Sequence, residues 1–317
     1  MRQPAGGDRQ DHRLSDGVPV PGAGPPDNGP PAGGRALRLR RAGRLRAHPA
    51  RVTGGDRRHR GRPGRPRRRG PGAARRPGRR TRGEPVTFSL AAHCQRTGRF
   101  GVVVTSSSPA VAARCAFVRA GTGAACSQNI TDPRLGGRLL DALAEGHDPY
   151  EAMTRLVRDE PHAPWRQLTV VDAEGRTAVH SGAHTLGTHA EARAPHAVAA
   201  GNLLADRGVP DAMLAAFAAR PAAPLGRRLV EALAAGQAAG GESGPVHSAG
   251  LLVSDGPGGV GWPVTDLRVD WSDGDPVAEL GALWERWQPQ EEDYLRRALD
   301  PADSPGYGVP GDERGSA

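Results

Sequence analysis

Apolar and polar residues begin to alternate at position 86. Val86, Phe88 and Leu90 fall on one side and Thr87 and Ser89 on the other, the period of a strand. RFGVVVTSSS (99–108) predicts a second strand. Its apolar residues 100 and 102–104 run almost without a break, so both faces are expected to be buried. The turn-like QRTG joins the pair. AACSQN (124–129) predicts a third strand after the loop AGTG. Helices follow. Asp132-Pro133 supplies an N-cap and a proline for the first turn, with Leu135, Leu139, Leu140 and Leu143 as the apolar face. Asp148-Pro149 repeats the device, and Glu151 completes a D-x-x-E capping pattern before Ala152, Met153, Leu156 and Val157. Strands return at 166–172, 177–182 and 196–204, helices at 209–219 and 223–238, and late strands at HSAGLLVSD and PVTDLRVD around GPGGVG. A last helix opens at Asp275-Pro276 and presents Leu280, Leu283, Trp284 and Trp287. This order segregates strands from helices, which implies packed layers rather than a doubly wound sheet. The expectation is an α+β fold, with two sheets face to face and helices outside, an αββα sandwich.

Charge divides the chain before that pattern starts. The sum is +9 and the pI is near 10.8, yet residues 1–85 hold 23 Arg against 6 acids, leaving 20 basic and 28 acidic residues in the rest. The leader has no Phe, Trp, Tyr, Cys or Ile, and 30 of its 85 residues are Gly or Pro. Such a segment buries too little apolar surface to offset the entropy of ordering its backbone, and disorder is expected. RPGRPRRRGPGAARRPGRR (62–80) has the composition of a nucleic-acid tail. The chain also has no Lys at all. Arg, Gly, Ala and Pro have GC-rich codons, and GC-rich DNA translated upstream of a true start gives a leader of this kind. The expected organisation is a leader (1–85), a main domain (86–288), and a short helix with a tail (289–317).

No apolar run approaches the roughly 20 residues of a membrane span, and no secretory h-region stands near the N-terminus. Cys94, Cys115 and Cys126 are odd in number and form no CxxC, as for reduced thiols in a cytoplasm. No metal or cofactor is expected. His180, His184, His189 and His196 span Gly182, Gly187 and Pro195, and so share no regular helix face. GPGGVG lacks the Lys-Ser/Thr of a phosphate loop and reads as a hairpin connection.

TFSLAA, GVVVTSS, RAGTGAACSQN, RQLTVVDAEGRTAVHSG, AAGNLL, HSAGLLV and DLRVDWSDGDPVAEL occur in this order. Together they resemble a bacterial family known only as domain-of-unknown-function family 1028, grouped with the N-terminal-nucleophile (Ntn) hydrolases. The resemblance covers about residues 86–317. Its members usually begin Met-Thr-Phe-Ser. WERWQPQEEDYLRRALDP resembles a tail that many members carry, likened in some to a peptidoglycan-binding module; without an export signal, peptidoglycan is not the expected partner.

The resemblance implies hydrolysis of an amide or related acyl bond in a small-molecule substrate, with Thr87 as the nucleophile. A Thr hydroxyl needs an adjacent base. A free α-amine, with a pKa of roughly 7.7–8.0, provides one. Thr87 is terminal only if Val86 is the initiator, encoded by GTG and trimmed as Met. Asn202 in AAGN is the candidate oxyanion amide. Ser106, Ser127 and Gln128 are candidates for the same pocket, Arg119 for binding a substrate carboxylate, and His189 for a substrate contact. Where the family has a segment with Asp-Arg-Gly ending in Gln, this chain reads ESGPVHSA, which points to altered specificity or lost activity. The alternatives are a non-catalytic binding protein on the same fold, and nucleic-acid association through the Arg leader. Trp284 and Trp287, taken as exposed, would form a homo-oligomer interface.

Overall fold

The strand expected from position 86 is β1 (Thr87–Cys94), and all eight of its residues are buried. This computed structural model describes residues 87–312. The basic leader, Val86 and the end of the tail lie outside the described residues, and so do the expectations of disorder and nucleic-acid binding that rest on them.

Two antiparallel sheets and a set of helices make a mixed α+β fold. The first sheet runs β10 (Pro263–Val269), β9 (Ser248–Ser254), β2 (Arg99–Ser106), β1, β8 (Ala197–Asn202), β7 (Ala190–Ala194). The second runs β3 (Ala116–Arg119), β4 (Gly123–Asn129), β5 (Arg166–Asp172), β6 (Thr177–Ser181). A short helical turn, α1 (Ala112–Cys115), precedes β3. Helices α2 (Arg134–Ala144) and α3 (Pro149–Asp159) fall between β4 and β5, and α4 (Val209–Ala219) and α5 (Leu225–Ala238) between β8 and β9. After β10 come α6 (Pro276–Trp287) and α7 (Glu291–Leu299).

The alternation in β1 sorts its side chains between two cores. Phe88, Leu90 and Ala92 join Met213 and Phe217 of α4, Leu229 and Leu233 of α5, and Leu280 and Trp284 of α6. Ala91 joins Val102, Val104 and Val198 of its own sheet and Ala124, Cys126 and Val171 of the second. A third core sets Ala125, Leu168 and Val170 against Leu135, Leu139 and Leu140 of α2 and Met153 and Leu156 of α3. Each Phe or Leu so buried stabilises the fold by roughly 1.5–3 kcal/mol. Thr87 and Ser89 share the Ala91 face, so the polar half of the alternation looks inward too, toward the second sheet.

Asp148-Pro149 and Asp275-Pro276 start helices as expected, whereas at Asp132-Pro133 the cap position falls on Pro133 and α2 begins at Arg134. Asp148 Oδ1 accepts from Glu151 N at 2.9 Å, and Asp275 Oδ1 accepts from Val277 N and Ala278 N at 3.0 and 3.1 Å. At α2, Asp132 Oδ1 accepts from Arg134 N at 3.0 Å. The turn QRTG closes on Gly98 with φ +66°, a conformation that favours glycine.

Two strands and one surface differ from expectation. β3 and β7 were not anticipated; both are edge strands. Trp284 is not exposed: its ring lies over Gly226 of α5, where a Cβ would stand 2.4 Å from it. Trp287 is half-buried, donates from Nε1 to Thr265 Oγ1 at 2.9 Å and stacks on Tyr294. The two rings therefore bind the C-terminal helices to the body rather than offer an interface. Glu291 of α7 adds a contact to Arg99 and accepts from Thr265 Oγ1 at 2.8 Å.

Candidate functional site

Thr87 opens β1 in the middle of the six-stranded sheet. It is flanked in register by Ser106 on β2 and Asn202 on β8, and Ser106 in turn by Ser248 on β9. In an antiparallel ladder such partners share a face, with Cβ atoms about 4.5–5.5 Å apart. Thr87 Oγ1 donates to Ser106 Oγ at 3.2 Å, and Ser106 Oγ accepts from Ser108 N at 3.1 Å. Ser248 Oγ donates to Ser108 O at 2.6 Å. A row of hydroxyls thus crosses three strands at one end of the sheet.

Behind this row lies a buried set of amides. Ser89 Oγ donates to Gln128 Oε1 at 2.7 Å. Gln128 Nε2 donates to Gln167 Oε1 at 2.8 Å and to Ala200 O at 3.2 Å. Gln167 Nε2 donates to Gly201 O and to Ser181 Oγ, each at 3.1 Å. Asn202 Nδ2 donates to Gln167 Oε1 at 3.0 Å. The backbone carbonyls fix every orientation. Ala200 O and Gly201 O only accept, so both Gln residues must turn Nε2 toward them, and Gln167 then shows Asn202 an oxygen. Asn202 must answer with Nδ2. Its Oδ1 is buried and has no hydrogen-bond partner among the described residues. As built, Asn202 offers Thr87 an acceptor, not the donor that an oxyanion hole needs.

Beyond Asn202 the chain leaves the β8 ladder. Leu203 has φ +49°, and Leu203 N and Leu204 N both turn toward the β7 side, donating to Leu186 O at 3.0 Å and Thr188 O at 2.8 Å. Ser243 N donates to Leu203 O at 3.1 Å and Ala205 N donates to Gly241 O at 3.0 Å, around the bridge Leu204–Glu242. On the other flank, Ser106 O accepts from His247 N on the β9 side, so Ser107 N turns toward β1's place. Its acceptor is Glu242 Oε1 at 3.2 Å. Gly241–Ser243 therefore lie close to the head of β1.

Glu242 is 8% exposed, and its Oε2 is buried with no hydrogen-bond partner among the described residues. Burial pushes its carboxyl up to about 9, against which the hydrogen bonding of Ser107 is the smaller effect. A cavity of about 230 Å³, lined by Glu242, Gly241, Gly244, Phe88, Gln237 and Asp275, opens beside it.

Of the residues singled out in the sequence, Thr87, Ser106, Gln128 and Asn202 come together here. Ser127 points to the other face of β4 and donates to Asp132 O at 2.8 Å. Arg119 pairs with Asp141 of α2 at 2.7 Å, and both are exposed. His189 is half-exposed on the segment before β7, with Nδ1 3.4 Å from Gly187 O. The other three histidines have unrelated surroundings: His180 faces Ala163 O, His184 lies tilted against the Trp165 ring, and His196 lies against His93 at the far end of β1. Gln167 and Glu242 were not singled out. Cys126, between the sheets, is pushed up to about 12 by burial and is inert as a thiolate source. GPGGVG joins β9 to β10, as a hairpin connection does.

Among the described residues no helix is long and apolar enough to cross a membrane. A family model described as a family of unknown function, DUF1028, matches residues 87–280, beginning at Thr87. A crystal structure of a protein from Silicibacter pomeroyi that carries the same family model matches with a TM-score of 0.61 and 28% identity, over 67% of this chain and 91% of that one. No curated protein matches.

Proposed function

The chain belongs to DUF1028, a family of unknown function, and from that premise we propose that it is an Ntn-type hydrolase that cleaves an amide or related acyl bond of a small molecule. The sheets and helices are read as an αββα sandwich of that type. The observation that carries the reading is the setting of Thr87: at the head of β1 it lies in register with Ser106 and Asn202, and Oγ1 is held by the Ser106 hydroxyl. A hydroxyl so placed, with a free α-amine on the same residue, is the arrangement this chemistry needs.

With Thr87 first in the chain, its α-amine takes the hydroxyl proton as Oγ1 bonds to the substrate carbonyl carbon. The tetrahedral intermediate collapses, the amine passes the proton to the leaving nitrogen, and an ester on Oγ1 remains. Water, deprotonated by the same amine, releases the acid and restores Thr87. Ser106 orients Oγ1, and Asn202 positions by accepting. Ser127, Arg119 and His189 have no part in this arrangement.

The test is a chain beginning at Thr87, assayed on chromogenic anilides and esters of short acids. Thr87→Ala is expected to lower turnover by at least about a hundredfold, with Thr87→Ser retaining part of it. A chain carrying one more residue before Thr87 is expected to be as inactive as Thr87→Ala. Unchanged turnover in Thr87→Ala would sink the reading.

A further inference from the structure

We propose that Glu242 is the partner of the Thr87 α-amine, holding it through Oε2 together with Asn202 Oδ1 and exchanging a proton with it. This rests on the reading of Thr87 as a chain-terminal residue. Among the described residues two buried acceptors near the head of β1 lack donors: Asn202 Oδ1 in Thr87's own rung, and Glu242 Oε2, whose other oxygen accepts from Ser107 N next to Thr87's partner Ser106; Gln237 Oε1 on α5, which lines the cavity beside Glu242, is a third. Buried polar atoms without partners are rare and costly. A backbone amide brings one N–H; a terminal ammonium brings three donors and a positive charge. Only the second satisfies both acceptors and neutralises a buried carboxylate as well.

The pairing also gives the amine its chemistry. Burial favours the proton on Glu242, while attraction and the two hydrogen bonds favour it on nitrogen, so carboxyl and amine share one proton as a coupled pair. Transfer of that proton to Oε2 frees the nitrogen lone pair, which then takes the Thr87 hydroxyl proton as the Oγ1–carbon bond forms. Glu242 is a positioning residue and does not touch the substrate. The charged or titratable groups on the segments packed around it are few. Asp206 lies beside Gly240, Asp275 lines the shared cavity, and His247 accompanies Ser272 O at the entry to β9. Among the described residues none of the three hydrogen-bonds to Glu242, and the Ser107 segment brings no charge of its own.

The test exploits the absence of lysine. In a chain that begins at Thr87 the α-amine is the sole amine. The family model begins at Thr87, and 91% of the Silicibacter pomeroyi chain falls inside the match, so this shorter chain is expected to fold. Reductive methylation, followed by intact mass across pH 5–10, reads the fraction of neutral amine. Glu242→Gln is expected to methylate at least about tenfold faster than wild type at pH 7, one unit of amine pKa. Superimposable pH profiles would overturn the proposal. Should the variant not fold, the wild-type chain answers instead. Its thermal midpoint is expected to fall less between pH 5 and 9 when it begins at Thr87 than when residues 1–86 precede it, and equal falls would overturn the proposal. Neither measurement uses turnover, so a shifted amine beside unchanged turnover in Thr87→Ala would sink hydrolysis alone.

Discussion

A carboxyl that folding keeps protonated leaves a signature in the full chain, where Thr87 offers an amide rather than an amine. Glu242 is raised from 4.5 to about 9 by burial. Between those values the folded chain keeps a proton that the unfolded chain has lost, so stability falls as pH rises. The contribution is fully present below about pH 4.5 and gone near pH 9, at no more than about 1.4 kcal/mol per pH unit. In the full chain, Glu242→Gln is expected to flatten this slope, measured by urea unfolding at intervals from pH 5 to 9; a slope no different from wild type would show that Glu242 is ionised throughout. Nothing local in the chain marks this residue. Thr87, Ser106, Gln128 and Asn202 were reachable, because they lie in strands whose pattern or family motif is local. Glu242 lies in GGESGP, which reads as a solvated loop, and even the segment flagged there was flagged for the residues it lacks. Its burial comes from the pairing of 241–243 with 203–205, some forty residues away, and no local pattern encodes that. Gln167 escaped for a similar reason, since a Gln within RQLTVVD signals neither a face nor a partner until β5 is set against β8.

At the scale of elements, legibility followed the strength of local chemistry. α3 and α6, opened by Asp-Pro, were found with their starts, since cap and proline act within one turn, and α2 to within a residue. β1, β2 and β5 were found because apolar runs and β-branched residues favour strands. β7 reads AEARA, with neither, and exists as an edge held by β8 and kept from further pairing by Glu191 and Arg193. β3 is four residues long and begins where α1 ends, so its pairing with β4 decides it. The contact between α5 and α6 was likewise invisible, for it depends on a glycine under a ring. Gly226→Ala would gain up to about 1 kcal/mol of helix propensity, but its Cβ would stand 2.4 Å from the buried Trp284 ring. Overpacking of this kind costs about 1–3 kcal/mol, so the clash should win. The variant is expected to melt lower and to show a perturbed tryptophan spectrum; a higher midpoint would mean that α6 shifts freely on α5.

For the whole molecule, the basic leader and the acidic body were separable by composition, and the boundary fell within two residues of where β1 begins. Beside the head of β1, Leu203 O, Ala205 N and Ser107 N are bonded to Ser243, Gly241 and Glu242. The family model begins at Thr87, and 91% of the Silicibacter pomeroyi chain falls inside the match. Removal of residues 1–86 is therefore expected to leave stability intact, with a thermal midpoint at pH 7 no more than about 4 °C below that of the full chain, the equivalent of about 1 kcal/mol at this size. The new α-amine adds a partner for Glu242, so the shorter chain should overtake the full chain as pH rises toward 8. Calorimetry of the two chains at pH 5, 7 and 8 separates the contributions. A loss of about 10 °C at every pH would mean that the leader is part of the folded body.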